Sequence, residues 1–150
     1  MGFALFAVLL LSHAAIDARE LKSHSFADSL GKQLFEGRAP VPAKMSGHSA
    51  PLPVAASRCS NCHTIAVPAT SKSALSSQNR SFGTPLNQTT LNALMARRGG
   101  PATRYDALSF CRVIREDVDP SHVVINSAMP RYSVSDAQCV ALWSYVMSYS

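Results

Sequence analysis

The sequence predicts an all-α domain of about four to five helices. Apolar residues recur at helical spacing in several separate segments, and the residues that precede two of these segments are typical of helix N-caps. Strand patterns are weak, and Val123–Ile125 is the one β-rich run. The length of 150 residues suits one domain, and a chain with 47% apolar and 15% charged residues can bury a core.

Each of the first two predicted helices ends at a glycine. The apolar residues that define the first one are Phe26, Leu30, Leu34 and Phe35. Gly37 is placed to end it. The second is predicted to start around residues 84–85, because proline is favoured in the first turn, and to end at Gly99. Arg97 and Arg98 then lie in its last turn, where cations complement the helix dipole.

The last two predicted helices begin with capping residues. The side chain of Thr103 can cap the start of the third helix, and the side chain of Asp106, three residues later, can accept from the backbone N–H of Thr103 in return. This helix must stop before Pro120. Ser135 and Gln138 form a capping box at the start of the fourth. The faces predicted to be buried carry Leu108, Cys111 and Ile114 on the third helix and Cys139, Leu142, Trp143 and Val146 on the fourth.

The N-terminus is typical of an export signal. Residues 3–11 form an apolar run followed by small residues, and this run is shorter than the ~20 residues that a membrane-spanning helix needs. We expect residues 1–18 to be the signal peptide, with cleavage somewhere in 14–18, and residues 19–150 to be the mature domain. The expected location is the periplasm, which is an oxidising compartment.

A proline-rich insertion follows the first helix. Its residues, 38–58, include Pro40, Pro42, Gly47, Pro51 and Pro53. Prolines at this density exclude both a helix and a central strand from residues 38–58. The sequence leaves two roles open for it, a docking surface and a plain surface insertion.

The chain carries the five-residue motif Cys59-Ser60-Asn61-Cys62-His63. Two cysteines with two residues between them, followed at once by histidine, are typical of covalent haem attachment in an exported chain. The thiols add across the two vinyl groups of the haem, the short turn sets the sulfurs at the vinyl separation, and the imidazole faces the iron. The alternatives are a dithiol redox site, for which the βαβ pattern is missing, and a zinc site, for which two further ligands are missing.

His63 leaves the opposite face of the iron open. Met129 is the preferred second ligand, because it precedes Pro130 in a loop between two predicted helices and the proline stiffens that loop. The alternatives in other predicted loops are Met45, His48 and His122, and the methionines predicted to fill the core are Met95 and Met147.

Together these features resemble the class I c-type cytochromes, which are small, mono-haem and all-helical. The match covers residues 26–149. It rests on Gly31 and Phe35 of the first helix, the haem motif, Met129-Pro130, and Leu142, Trp143 and Tyr145 of the last helix. The resemblance implies a cytochrome c-like bundle around one covalently bound haem c. In that family the first helix runs into the haem motif within a few residues, whereas here residues 38–58 intervene.

The resemblance also implies particular contacts. The first and last helices would cross at Gly31, with Phe35 against Leu142 or Tyr145. A proline carbonyl would lie against the ring of the haem histidine, and the available candidate is Pro68. The residues expected to line the haem pocket are Pro68, Pro130, Tyr132 and Trp143.

Haem attachment leaves two further cysteines, Cys111 and Cys139. In an oxidising compartment a disulfide between them is the default expectation. It would tie the third helix to the fourth around the loop that contains Met129. The alternative is a pair of buried thiols that never meet.

The expected function is electron transfer by an exported mono-haem c-type cytochrome that is not itself an enzyme. With His63 and Met129 on the iron, no substrate reaches the metal. The alternative is a haem-bearing subunit of a periplasmic or membrane-bound oxidoreductase complex.

The expected partners are redox proteins, with a dehydrogenase as donor and an oxidase or another protein as acceptor. Lys and Arg number 14 against 9 Asp and Glu, which favours acidic partners or membrane surfaces. Arg58 and Arg131 are the candidates for a basic docking rim. Basic residues are not clustered in long runs, which argues against nucleic acid.

Overall fold

The computed structural model describes residue 27 and residues 29–65 and 82–150. The expected signal peptide and Pro68 lie outside the described residues. The helices within these ranges are α1 (29–35), α2 (Gln88–Asn92), α3 (Ala107–Glu116) and α4 (Asp136–Met147), with a 3-10 turn at Cys59–Asn61. Across the described ranges, no helix combines the length and apolar character needed to cross a membrane.

Two short antiparallel ladders accompany the helices. The strand β1 (Ala43–Lys44) pairs with β4 (Arg131–Tyr132), and β2 (Met95–Ala96) pairs with β3 (Ala102–Thr103). Each strand has 2 residues, so the ladders fasten loops to one another without forming a layer of sheet. Val124, in the run predicted to be β-rich, makes an isolated bridge with Val118.

The helix α1 ends at Gly37 as predicted. Gly37 takes a φ of 71°, and its N–H donates to the carbonyl of Leu34 at 3.1 Å. The N–H of Arg38 donates to the carbonyl of Gln33 at 2.8 Å. This pair of bonds is a Schellman motif, and it satisfies carbonyls that the last helical turn leaves without partners.

The helix α2 is shorter than predicted. The side chain of Asn87 caps its start by accepting from a backbone N–H of the first turn, and the helix ends at Asn92 instead of Gly99. Residues 93–103 form a hairpin instead, because Arg98 and Gly99 take positive φ values of 49° and 78° and turn the chain back on itself.

Arg97 binds the C-terminal end of α2, but from the hairpin. Its guanidinium donates to the carbonyl oxygens of Thr90 at 3.1 Å and Ala93 at 3.2 Å. It also lies 5.1 Å from the centre of the Tyr105 ring, at a cation–π distance. The prediction that Arg97 and Arg98 lie in the last turn of this helix was wrong, because both lie in the hairpin, although the guanidinium of Arg97 still reaches carbonyl groups at the end of α2.

The helix α3 begins four residues after Thr103, which lies in β3 and does not cap it. Asp106 is the N-cap, and it forms a capping box with Ser109. The predicted start was wrong because pairing in β3 holds Thr103 in a strand. The helix ends at Glu116, ahead of Pro120 as predicted.

The capping box predicted for α4 is confirmed. The N–H of Gln138 donates to Oγ of Ser135 at 3.2 Å, and the N–H of Ser135 donates to Oε1 of Gln138 at 2.9 Å. The two partners are three residues apart, so the signal is local to the sequence.

The core lies where α1, α3 and α4 meet. Its larger buried apolar residues are Leu34, Phe35, Phe110, Val113, Ile114, Leu142, Tyr145 and Val146. Leu108, which was expected on the buried face of α3, is 82% exposed. It lies two residues from Phe110, roughly 200° around the helix, and so faces solvent.

Candidate functional site

A cavity of about 460 Å³ brings the predicted site residues together. The predicted residues that line it are Cys59, Cys62, His63, Met129, Pro130 and Tyr132. Most of the remaining wall is apolar, with Leu34, Phe35, Leu86, Leu91, Phe110, Val113, Ile114, Ile125, Leu142 and Val146 among its residues. A volume of this size is in the range of small-molecule and cofactor sites.

The 3-10 turn of the cysteine motif places three of these side chains on the cavity. The N–H groups of Cys62 and His63 both donate to the carbonyl of Cys59, at 3.1 and 2.9 Å. Asn61, which lies between the two cysteines, is exposed, and its side-chain amide donates to the carbonyl of Ala55 at 2.8 Å. The turn therefore gathers both thiols and the imidazole at one wall.

The His63 ring is held by a backbone carbonyl. Its Nδ1 lies 2.8 Å from the carbonyl oxygen of Thr84. A carbonyl can only accept, so Nδ1 carries the proton and Nε2 keeps its lone pair. Burial lowers the pKa of His63, which favours this neutral form, while the bond to Thr84 acts in the opposite direction. A metal-binding histidine in proteins has this arrangement, with one nitrogen donating to a carbonyl and the other available as ligand.

Gly83 lies directly against the His63 ring. A Cβ atom on Gly83 would lie 2.4 Å from Cε1 and 2.5 Å from Nδ1 of His63. The N–H of Gly83 donates to the carbonyl of Cys62 at 2.7 Å, and the N–H of Leu86 donates to that of Thr64 at 2.9 Å. The segment 83–86 therefore runs along the cysteine motif and restricts the His63 ring.

Sequence reasoning missed both Gly83 and Thr84. It expected a proline carbonyl against His63 and chose Pro68, which lies outside the described residues. The available signal was the step Gly83-Thr84-Pro85, a glycine followed two residues later by a proline, in the loop after the motif.

Met129 lies in a tight loop at the cavity. Its N–H donates to the carbonyl of Asn126 at 3.0 Å, and the side chain of Asn126 accepts from the N–H of Ala128 at 2.9 Å. Pro130 follows, and the chain then enters β4. The side chain of Met129 is half-buried and lines the cavity.

The other candidate iron ligands differ in whether they line the cavity. Met45 lines the same cavity and is half-buried. His48 and His122 are exposed and do not line it. Met95, predicted to fill a helical core, lies in β2 and is 42% exposed. Of the rivals within the described ranges, Met45 is therefore the one that competes with Met129 by position.

The proline-rich insertion is a wall of the cavity. Its lining residues are Val41, Met45, Leu52, Ala56 and Arg58. The pairing of β1 with β4 sets Ala43 opposite Tyr132, and the Tyr132 hydroxyl donates to the carbonyl of Ser57 at 2.9 Å. Residues 38–58 are thus built into the site.

The thiol of Cys59 is protonated at neutral pH. Burial raises its pKa to about 11, and a hydrogen bond with the Tyr132 side chain opposes that rise. Burial also raises the pKa of Tyr132, so both groups are neutral. A protonated thiol would supply both the sulfur and the hydrogen if it added across a vinyl group.

The two arginines expected at a basic rim differ in position. Arg58 is exposed and lines the cavity. Arg131 turns inward and forms an ion pair with the buried carboxylate of Asp117. Arg98, which sequence reasoning did not select for the site, is exposed and also lines the cavity.

Two further expectations concern α4. Trp143, which was expected in the pocket, does not line the cavity. Its ring packs on the ring of Phe110, which does line the cavity, with ring centres 5.3 Å apart. The sulfur atoms of Cys111 and Cys139 lie at bonding distance, 1.96 Å, and join α3 to α4.

The donor set is compatible with haem. Among the described residues, no three or more His, Cys, Asp or Glu side chains are grouped to hold a metal ion. A haem iron would need only two ligands from the protein, and His63 with a methionine could supply them. Comparisons with protein-family models, with curated proteins and with solved structures found no match for this chain.

Proposed function

We propose that this protein is an exported mono-haem c-type cytochrome that carries single electrons between redox proteins. One haem c would be attached through Cys59 and Cys62, with His63 and Met129 as axial ligands. The observation that carries the proposal is the convergence of these four side chains on one mainly apolar cavity. A cytochrome c-like fold for residues 19–150 and a periplasmic location belong to the same proposal.

The apolar wall supports a flat hydrophobic ligand. Haem has a large apolar ring, and transfer of apolar surface out of water is favourable at about 25 cal/mol per Å². The cavity is bounded by α1, α3, α4 and the insertion, so all of these elements would contact the ring. Trp143 would act indirectly, by supporting Phe110.

The roles proposed for the protein's own residues are those of a carrier. The Thr84 carbonyl orients the His63 ring so that Nε2 points away from that bond. Met129 would be the second protein ligand and would keep water from the iron. When bound, haem supplies a one-electron Fe(III)/Fe(II) couple, and a His/Met pair stabilises the ferrous state and raises its potential.

The charge distribution supports an acidic redox partner. Arg58 and Arg98 are exposed and both line the cavity. Arg131 contributes less to such a surface, since its guanidinium is paired with Asp117. Cations at the edge of a redox site steer acidic partners toward it.

The direct test is expression with a haem-maturation system. We expect the denatured mature protein to carry the added mass of one haem and to show a low-spin His/Met spectrum. The variant Cys59→Ala/Cys62→Ala should lose the covalent haem, while Cys111→Ala/Cys139→Ala should keep it. A haem-free mass for the parent protein, made beside a known c-type cytochrome that is correctly loaded, would refute the proposal.

A further inference from the structure

A buried carboxylate, Asp117, links the two segments that bring methionines to the cavity. Asp117 follows α3 as its C-cap, with a φ of 61°, and it is 1% exposed. Its N–H donates to the carbonyl of Val113 at 3.1 Å, and its carbonyl accepts from the N–H of Ile125 at 2.8 Å. The backbone of Asp117 is therefore anchored to the core from both sides.

The side chain of Asp117 reaches two other loops. Its Oδ2 accepts from the hydroxyl of Ser46 and from Nε of Arg131. Its other oxygen, Oδ1, is buried without a hydrogen-bond partner in the described part of the chain. Ser46 and Arg131 are thus the side chains that compensate the burial of this charge.

The two partners are neighbours of the two cavity methionines. Ser46 directly follows Met45, and Arg131 lies two residues after Met129. Loss of one member of a buried, hydrogen-bonded charge pair leaves the other uncompensated, so the loops that carry them are held together strongly.

We propose that Asp117 is a positioning residue that holds the Met129 loop against the proline-rich insertion and thereby keeps Met129 on the iron. The inference rests on the proposed function, because it assigns a role relative to the axial ligand. Opening of the loop exposes the iron to small ligands, and Asp117 opposes that opening.

The test uses the haem-loaded protein and its variant Asp117→Asn. Imidazole binds ferric iron only when the methionine leaves, so its binding rate reports loop opening. A hydrogen bond to a charged group is strong enough that we expect the rate to rise about tenfold or more. The near-infrared Met–Fe(III) band should also disappear at a lower guanidinium concentration than the helical circular dichroism signal.

Asp119→Asn is the matched control. Asp119 is also 1% exposed, but its Oδ1 accepts from the backbone N–H groups of Ser121 and Val123, and it forms no ion pair in the described part of the chain. Asp117→Asn therefore removes the charge that faces Arg131, whereas Asp119→Asn breaks no ion pair. Its imidazole rate should stay within about twofold of the parent. A second pair, Ser46→Ala and Ser46→Thr, tests the link without altering the charge: the alanine variant should bind faster, and the threonine variant, which keeps a hydroxyl, should not.

The outcomes separate the two proposals. If the parent carries haem and binds imidazole slowly, but Asp117→Asn and Ser46→Ala bind at the parental rate, the role of Asp117 is refuted while the carrier remains. Equal acceleration by Asp119→Asn would also refute it, since the effect would then be general destabilisation. If Asp117→Asn does not fold, the imidazole binding rates of Ser46→Ala and Ser46→Thr decide whether the link to Asp117 holds the loop. Absence of haem from the parent would instead refute the proposed function.

Discussion

A Cβ atom on Gly31 would lie 2.1 Å from the carbonyl oxygen of Ala141, because the two helices touch at this point. It would also lie 2.5 Å from Cβ of Tyr145. The backbone of α1 at Gly31 therefore contacts the backbone of α4 at Ala141 directly. Any side chain at position 31 would push the two helices apart. The ring of Phe35 packs on the ring of Tyr145 one turn further along, with centres 5.7 Å apart.

Gly31→Ala should destabilise the protein by about 1–3 kcal/mol, the usual cost of adding a methyl group to a tight contact. The measurement is the free energy of unfolding in guanidinium. Lys32→Ala, at an exposed neighbour on the same helix, is the control and should change stability by less than about 0.5 kcal/mol. Equal effects at the two positions would mean that the helices do not cross at Gly31.

Gly83→Ala should disturb the His63 ring, since the added methyl would overlap Cε1 and Nδ1. We expect reduced haem loading and an altered low-spin spectrum, measured on protein purified from equal expression. Thr84→Ala is the control, because the bond to His63 uses the backbone carbonyl and the substitution leaves it in place. A normal spectrum for Gly83→Ala would contradict the packing of the glycine on the ring.

Met129→Ala should open one face of the iron. Carbon monoxide should bind the reduced variant quickly, the Met–Fe(III) band should vanish, and the potential should fall because thioether ligation favours Fe(II). The matched substitution Met45→Ala removes the other thioether of the cavity and should leave the band intact. The reverse pattern would identify Met45 as the ligand.

Cys111 and Cys139 should be protected from alkylation under denaturing, non-reducing conditions. The two residues are 28 apart in sequence, and cross-linking a loop of that length stabilises a protein by on the order of 3–4 kcal/mol in the loop-entropy account. Cys111→Ala/Cys139→Ala should therefore unfold at a lower guanidinium concentration with its haem spectrum unchanged. Full labelling of both residues in the parent would show that no disulfide forms.

Short-range chemistry made several features predictable. The capping box of Ser135 and Gln138 and the helix end at Gly37 depend on residues within a few positions of each other. The cysteine motif is local in the same way, and Met129-Pro130 is recognisable as a loop. The crossing at Gly31 was expected through the family resemblance and is present.

The hairpin after α2 could not be predicted from residues close together in the sequence. Apolar spacing and two arginines before Gly99 favour a longer helix, but pairing of β2 with β3 and the turn at Arg98 prevail. Local propensity differs by less than about 1 kcal/mol per residue between most residue types, so tertiary contacts override it.

By itself, the sequence determined which residues are the candidates for the proposed chemistry: Cys59, Cys62, His63 and a methionine in a stiffened loop. Only the tertiary structure decided what holds them. The Thr84 carbonyl at His63, the insertion as a cavity wall and the bonds from Asp117 to Ser46 and Arg131 all join residues far apart in the chain. Such contacts arise because buried polar groups must find partners and apolar faces must close a cavity, and both depend on how the whole chain packs.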